Sequence, residues 1–135
     1  MRVAVLADDL IWSTRLTDAL RAAGAEPVPV RSLSGLAASL PSADRVIVDL
    51  TARAYDGVAA IETSRAAGRP VLAVGQHDDQ DLRRRALAAG ADRVYAYRKL
   101  FEDGPASIAR WLAAAARPPH PIDDPDPDPT EASAR

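Results

Sequence analysis

The sequence predicts an α/β fold: a doubly wound, five-stranded parallel sheet with helices on both faces. Three observations predict it. Short apolar runs alternate with amphipathic stretches of about 12 residues through residues 2–116. The runs are apolar at nearly every position, as in strands buried on both faces. Right-handed crossovers then build a three-layer, flavodoxin-like sandwich, and at this size strand order 2-1-3-4-5 is expected.

The elements follow in order. RVAVLA at 2–7 reads as a buried strand bounded by Asp8 and Asp9. Residues 12–23 place Trp12, Leu16, Ala19, Leu20 and Ala23 on one helical stripe that Gly24 closes. EPVPV at 26–30 is a strand whose two prolines confine it to a sheet edge. A short helix over 34–40 turns Leu36 and Leu40 inward and ends at Pro41. RVIVDL at 45–50 is the most apolar strand and is expected at the centre.

The second half repeats the pattern. Residues 56–67 predict a helix with Val58, Ile61 and Ala66 inward. PVLAV at 70–74 is the fourth strand. Residues 78–89 predict a helix with Leu82, Ala86 and Ala89 inward, and RVYAY at 93–97 the fifth strand. The last helix is expected over 104–116, with Pro105 in its first turn and Ile108, Trp111, Leu112 and Ala115 on its apolar stripe.

Composition narrows the function. The chain has 135 residues and is 47% hydrophobic, enough for one domain and one core. It has no cysteine, which excludes disulfides, thiolate nucleophiles and cysteine-ligated metals. No apolar run approaches the roughly 20 residues needed to span a bilayer, and no signal-peptide stretch stands at the N-terminus. A soluble, cytoplasmic protein is expected. Residues 1–117 hold 16 of the 17 Lys+Arg and 14 of the 19 Asp+Glu. That mild positive balance points to no nucleic-acid partner. Residues 118–135 hold six of the 11 prolines and five acids. They predict an extended, disordered acidic tail after a folded domain over 1–117. The tail is expected to solubilise the chain, to dock as an acidic peptide, or to fold back on basic residues.

Function in an open parallel sheet collects beyond the carboxyl ends of its strands. Asp8 and Asp9 follow strand one, and Asp49 ends strand three. A cluster of three carboxylates repels itself, and a hard divalent cation such as Mg²⁺ relieves the repulsion. A carboxylate beside Mg²⁺ is also a nucleophile toward phosphoryl groups. Helix caps and turns use the same residues without any such chemistry. If the cluster is tight, Asp49→Asn should keep the fold and ease repulsion.

These pieces resemble the receiver domain of bacterial two-component response regulators across residues 2–112. The resemblance is carried by VLADDLIWSTRLTDALRAAGAEPV, RVIVDLTARAYDG and PVLAVGQHDDQDLRRRALAAGAD. It implies a phosphorelay role, with Asp8, Asp9 and Asp49 as Mg²⁺ ligands and Asp49 as phosphoacceptor. It also implies a hydroxyl after strand four and a lysine after strand five. Gly75 stands in the first place and Tyr97 in the second. Val94 stands at the aromatic switch position, and the loop TARAYDG lacks the usual proline. Lys99, in KLF, lies two residues beyond Tyr97 and would be about 6–7 Å further along a straight strand.

The sequence therefore resembles an atypical, or pseudo-, receiver. The expected function is a stand-alone, non-enzymatic signalling module acting through another protein, a kinase or downstream target, or through a second copy of itself. Arg83, Arg84 and Arg85 on the fourth helix, with Arg93 and Arg98 nearby, are the expected contact region. One alternative is a working phosphoacceptor using Asp49 and Mg²⁺. Another is a small-molecule-binding or Asp/Mg²⁺-dependent hydrolase domain on the same fold. Dinucleotide binding has no support, because no Gly-x-Gly-x-x-Gly follows strand one. Trp12 is expected to pack on a neighbouring loop or helix, or to anchor a partner. Trp111 is expected in the core, His77 in an exposed loop, and His120 in the tail without a role.

Overall fold

The computed structural model describes residues 1–76, 79–103 and 105–115. The strands are β1 (Arg2–Leu6), β2 (Glu26–Val30), β3 (Arg45–Asp49), β4 (Val71–Gly75) and β5 (Arg93–Ala96). The helices are α1 (Leu10–Ala22), α2 (Leu33–Ser39), α3 (Gly57–Ala66), α4 (Gln80–Ala89), α5 (Tyr97–Glu102) and α6 (Pro105–Ala115). A 3₁₀ turn at Leu40–Ser42 follows α2, where Pro41 ends the α-helix. All pairings are parallel and the order is β2-β1-β3-β4-β5, as the sequence predicts.

Alternation along the strands divides the core into two faces. Val46 and Val48 of β3 pack with Leu36, Ala60, Ile61 and Ala86, beneath α2, α3 and α4. Ile47 packs on the opposite face with Leu16, Leu20, Leu100, Ile108 and Trp111, beneath α1, α5 and α6. Each buried aliphatic side chain contributes about 1.5–3 kcal/mol, and all five residues of β3 are buried. That explains its central place. Trp111 is a core residue at 1% exposed.

The edge position of β2 follows from its prolines. Glu26 N donates to the Met1 carbonyl and the Val30 carbonyl accepts from Ala7, so these alternate residues face β1. Pro27 and Pro29 then face the free edge, where a missing N–H breaks no ladder bond and discourages a further strand.

Polar side chains start four of the helices. Asp9, Ser32, Asp56 and Asp79 accept from amides in the first turns of α1, α2, α3 and α4, each worth about 1 kcal/mol. The cap at Asp9 starts α1 two residues before the predicted 12. That leaves Leu10 and Ile11 helical yet 72% and 65% exposed. In α3, Ala66 is exposed and Val58 half-buried, while Ser64 turns inward and satisfies its hydroxyl on the Ala60 carbonyl.

The largest departure is at the end of β5. The strand stops at Ala96, and Tyr97–Glu102 form α5. Tyr97, Leu100 and Phe101 follow a helical i, i+3, i+4 spacing and pack against the α1 and α6 face. The extended geometry expected for Lys99 therefore does not exist. His77 and residues 118–135, with His120, lie outside the described residues. No helix among the described residues is long and apolar enough to cross a membrane.

Candidate functional site

Asp49 is the last residue of β3 and is 1% exposed. Its Oδ1 accepts from the Thr51 amide at 3.0 Å and the Thr51 hydroxyl at 2.7 Å. This is the Asx turn that an aspartate at a strand end forms two residues on. The Tyr97 hydroxyl donates to the same Oδ1 and lies 2.7 Å from Thr51 Oγ1. Three donors thus converge on one carboxylate oxygen. The other, Oδ2, is buried without a hydrogen-bond partner.

Tyr97 reaches Asp49 from across β4, because α5 begins directly after β5 ends. Its phenol pKa is raised, first by burial and then by the hydrogen bond to Asp49, so it stays protonated and keeps donating. Tyr55 supports the site from the β3–α3 loop. Its hydroxyl lies 2.6 Å from the Asp49 carbonyl and 2.9 Å from the Leu6 carbonyl, tying the ends of β3 and β1 together. Burial and then the Asp49 charge raise its pKa too.

An aromatic lid covers the tyrosine. Trp12 of α1 stacks on Tyr97 with ring centroids 3.8 Å apart and 12° between planes, and Phe101 lies 5.4 Å from Trp12. The Arg15 guanidinium sits 5.3 Å from the Trp12 ring and 5.7 Å from Phe101. Asp9 positions this lid, because its Oδ1 caps α1 by accepting the Trp12 amide at 3.0 Å.

Asp8 is likewise committed to structure. Its Oδ2 accepts from the Arg53 and Ala54 amides, both at 3.2 Å, and holds the β3–α3 loop over the end of β1. Arg31 donates to the Asp8 backbone carbonyl. Among the described residues, no three carboxylate, histidine or cysteine side chains gather closely enough to hold a metal ion. One oxygen of each of Asp8, Asp9 and Asp49 is taken up by these donors, and the second oxygen of each is what an Mg²⁺ ion would use.

Gly75 ends β4 beside Asp49, where the resemblance expects a hydroxyl. A Cβ there would meet Leu50 Cβ at 3.4 Å and Thr51 Cγ2 at 3.8 Å, ordinary contacts. The glycine is therefore not sterically required. Gly57 is different, since a Cβ there would sit 2.9 Å from Leu50 Cδ2 and 3.3 Å from Leu50 Cα. Its bareness lets α3 start against the chain leaving β3. A small cleft lies between α4 and the ends of β4 and β5, lined by Gly75, Leu82, Arg83 and Val94.

The other expected residues separate. Lys99 lies on α5 with Nζ 3.9 Å from Asp103. Arg83 donates to the Val94 carbonyl at 2.7 Å, Arg84 pairs with Asp81 and Arg98 with Glu102. Arg85 is exposed. Sequence reasoning missed Thr51 and Tyr55. The Asp-x-Thr spacing at a strand end was a usable signal for Thr51. Nothing local marked Tyr55, whose partners are backbone carbonyls brought together by the sheet.

Comparison with known proteins defines the class of fold. No protein-family model matches the sequence, and no curated protein is significantly similar to it. Solved structures match along most of the chain. A two-component response regulator from Clostridium difficile superposes with a TM-score of 0.74 at 14% identity, covering 87% of this chain and 99% of that one. A response regulator receiver domain protein from Clostridium thermocellum gives 0.72 at 18% identity, covering 84% and 92%. The signal receiver domain of a modulated diguanylate cyclase from Desulfovibrio desulfuricans gives 0.72 at 18% identity, covering 84% and 91%. The chain has the fold of a response-regulator receiver domain.

Proposed function

We propose that this chain is an atypical receiver-like signalling module that acts by binding another protein, its acid pocket held closed from within. The observation that carries this reading is the Tyr97 hydroxyl on Asp49 Oδ1. A receiver signals when the acid at the end of β3 gains a phosphoryl group and neighbouring side chains respond. Here a neutral phenol occupies the position where a cation would compensate that charge. Gly75 offers no hydroxyl to follow it. A carboxylate oxygen already accepting three hydrogen bonds is a weak nucleophile, and Trp12 stacks on the Tyr97 ring that supplies one of them. Its contact region is the surface of α4, β5 and α5, where Arg84, Arg85 and Arg98 are exposed.

A second reading, a phosphoacceptor Asp49 working with Mg²⁺, is favoured by one observation, the unpartnered Oδ2. It requires Tyr97 to leave Oδ1 and Asp8 to release the Arg53 and Ala54 amides. The test is an amide NMR titration of the full chain with Mg²⁺, then with Mg²⁺ and beryllofluoride, using Asp49→Asn as control. The closed-pocket reading expects no saturable change at Asp49, Thr51 or Tyr97. Saturable shifts that reach Tyr97 and vanish in the control replace it with the phosphoacceptor reading.

A further inference from the structure

Helix α1 buries Leu16 and Leu20 against the sheet and leaves its opposite face open. That open side begins with two large aliphatic side chains, Leu10 at 72% and Ile11 at 65% exposed. They are the most exposed large apolar side chains among the described residues. A single exposed leucine needs no explanation. Two adjacent aliphatics at the head of an ordered charge pattern point to an interface.

At about 100° per residue, Ile11, Arg15, Asp18 and Ala22 fall within about 60° of one another around the helix. All four are exposed. Along the axis this stripe runs apolar, basic, acidic, apolar. Such a stripe is complementary to itself when reversed. A two-fold axis between positions 16 and 17 sets Ile11 against Ala22 of a second copy and Arg15 against its Asp18. Both pairs are symmetric about the same point, so one register makes both. A parallel two-fold pairing would instead set Asp18 on Asp18 and Arg15 on Arg15, which repel.

The charges are available for such pairs. Among the described residues Arg15 meets no carboxylate, and its guanidinium lies 5.3 Å from the Trp12 ring. Asp18 pairs with Arg21 at 3.4 Å, with both side chains more than 60% exposed. A surface pair of that kind is weak and leaves the carboxylate able to accept a second guanidinium.

We propose that this chain self-associates through α1, two copies packing antiparallel with Ile11 on Ala22 and Arg15 on Asp18. α1 and α4 cover opposite faces of the sheet, so the pairing leaves α4 open. A helix of 13 residues is about 20 Å long. One such face is smaller than a standard interface, so the association is weak and reversible.

The test is sedimentation velocity on the full chain at low salt, between roughly 10 and 500 µM, the range a small interface implies. The expected result is a mean mass that rises with concentration from 14.3 kDa toward twice that value. Ile11→Glu should hold the chain at the monomer mass. D18R and R15D each set like charges across both pairs, and each alone should also stay monomeric. Mixed in equal amounts they restore both pairs, and the mixture should associate as the wild type does, a rescue that loss of folding does not produce. If R15D does not fold, wild-type salt dependence decides, because exposed charge pairs weaken as salt rises. A mass of 14.3 kDa at every concentration overturns the proposal. So does association that survives Ile11→Glu, a mixture of two folded variants that fails to recover, or association that strengthens with salt.

Discussion

Asp49 and Arg45 close the two ends of one five-residue strand, and both are buried, at 1% and 7% exposed. Their charges are handled differently. Asp49 receives three donors from side chains and backbone that the sheet edge brings together, Thr51 from the next loop and Tyr97 from across β4. Arg45 has helix C-termini near it but no acceptor on its Nε among the described residues. Each end of the strand keeps one buried atom without a partner, Asp49 Oδ2 at the carboxyl edge and Arg45 Nε at the amino edge. A receiver fold usually leaves reactivity at the carboxyl edge. Here the difference is that Asp49 Oδ1 is held by three donors, whereas no described side chain donates to or accepts from the Arg45 side chain.

The comparison can be broken hardest at Tyr97. Tyr97→Ala removes a buried ring, its stack with Trp12 and a hydrogen bond to a buried carboxylate. A loss of about 3–5 kcal/mol is expected in denaturant unfolding. Tyr97→Phe keeps the ring and isolates the hydrogen bond, and about 1–3 kcal/mol should go. The same variant tests pH dependence. The folded-state pKa values of Tyr97 and Tyr55 are raised above the ordinary value of about 10. The unfolded chain loses those protons first, so stability is full below about pH 10 and falls as pH rises beyond it. Unfolding midpoints at pH 9 and pH 11 should show that fall in the wild type and a smaller one in Tyr97→Phe.

Asp49→Asn probes the same end with less disturbance. Sequence reasoning expected relief of repulsion among three acids. Asp8 and Asp9 accept from backbone amides, and Asp49 Oδ1 accepts three donors that an asparagine would meet less well. An amide also brings two donors to the acceptor-poor space around Oδ2, so a loss of about 1–2 kcal/mol is expected on thermal unfolding. At the opposite end, Arg45→Met should stabilise the chain by about 1 kcal/mol in denaturant unfolding, because it removes a buried Nε that has no hydrogen-bond partner. Gly75→Ser is the smallest change. Its Cβ fits against Leu50, so stability should move by less than about 0.5 kcal/mol.

Most of the fold was legible because alternation and apolar runs are local patterns. The five strands, the edge position of β2 from Pro27 and Pro29, the central β3 and the core place of Trp111 all followed from residue order. The candidate site was legible only as a set of residues. Asp49 and Tyr97 were singled out, but Tyr97 was placed at the end of a strand. The YRKLFE spacing of Tyr97, Leu100 and Phe101 carried the helical signal for α5, and the likeness to a strand-terminal lysine masked it. Thr51 was recoverable from its distance to Asp49, whereas Tyr55 was not.

The sequence by itself determined the sandwich, the strand order and the collection of acids at one edge, because burial periodicity and crossover handedness leave few other solutions. Only the tertiary structure decided what those acids do. Asp8 and Asp9 became a brace and a cap, and Asp49 became the acceptor of a tyrosine 48 residues away. The physical reason is that a hydrogen bond depends on a few tenths of an ångström between groups from different elements. Such distances are set by how strand ends and loops pack, which no single stretch of sequence encodes.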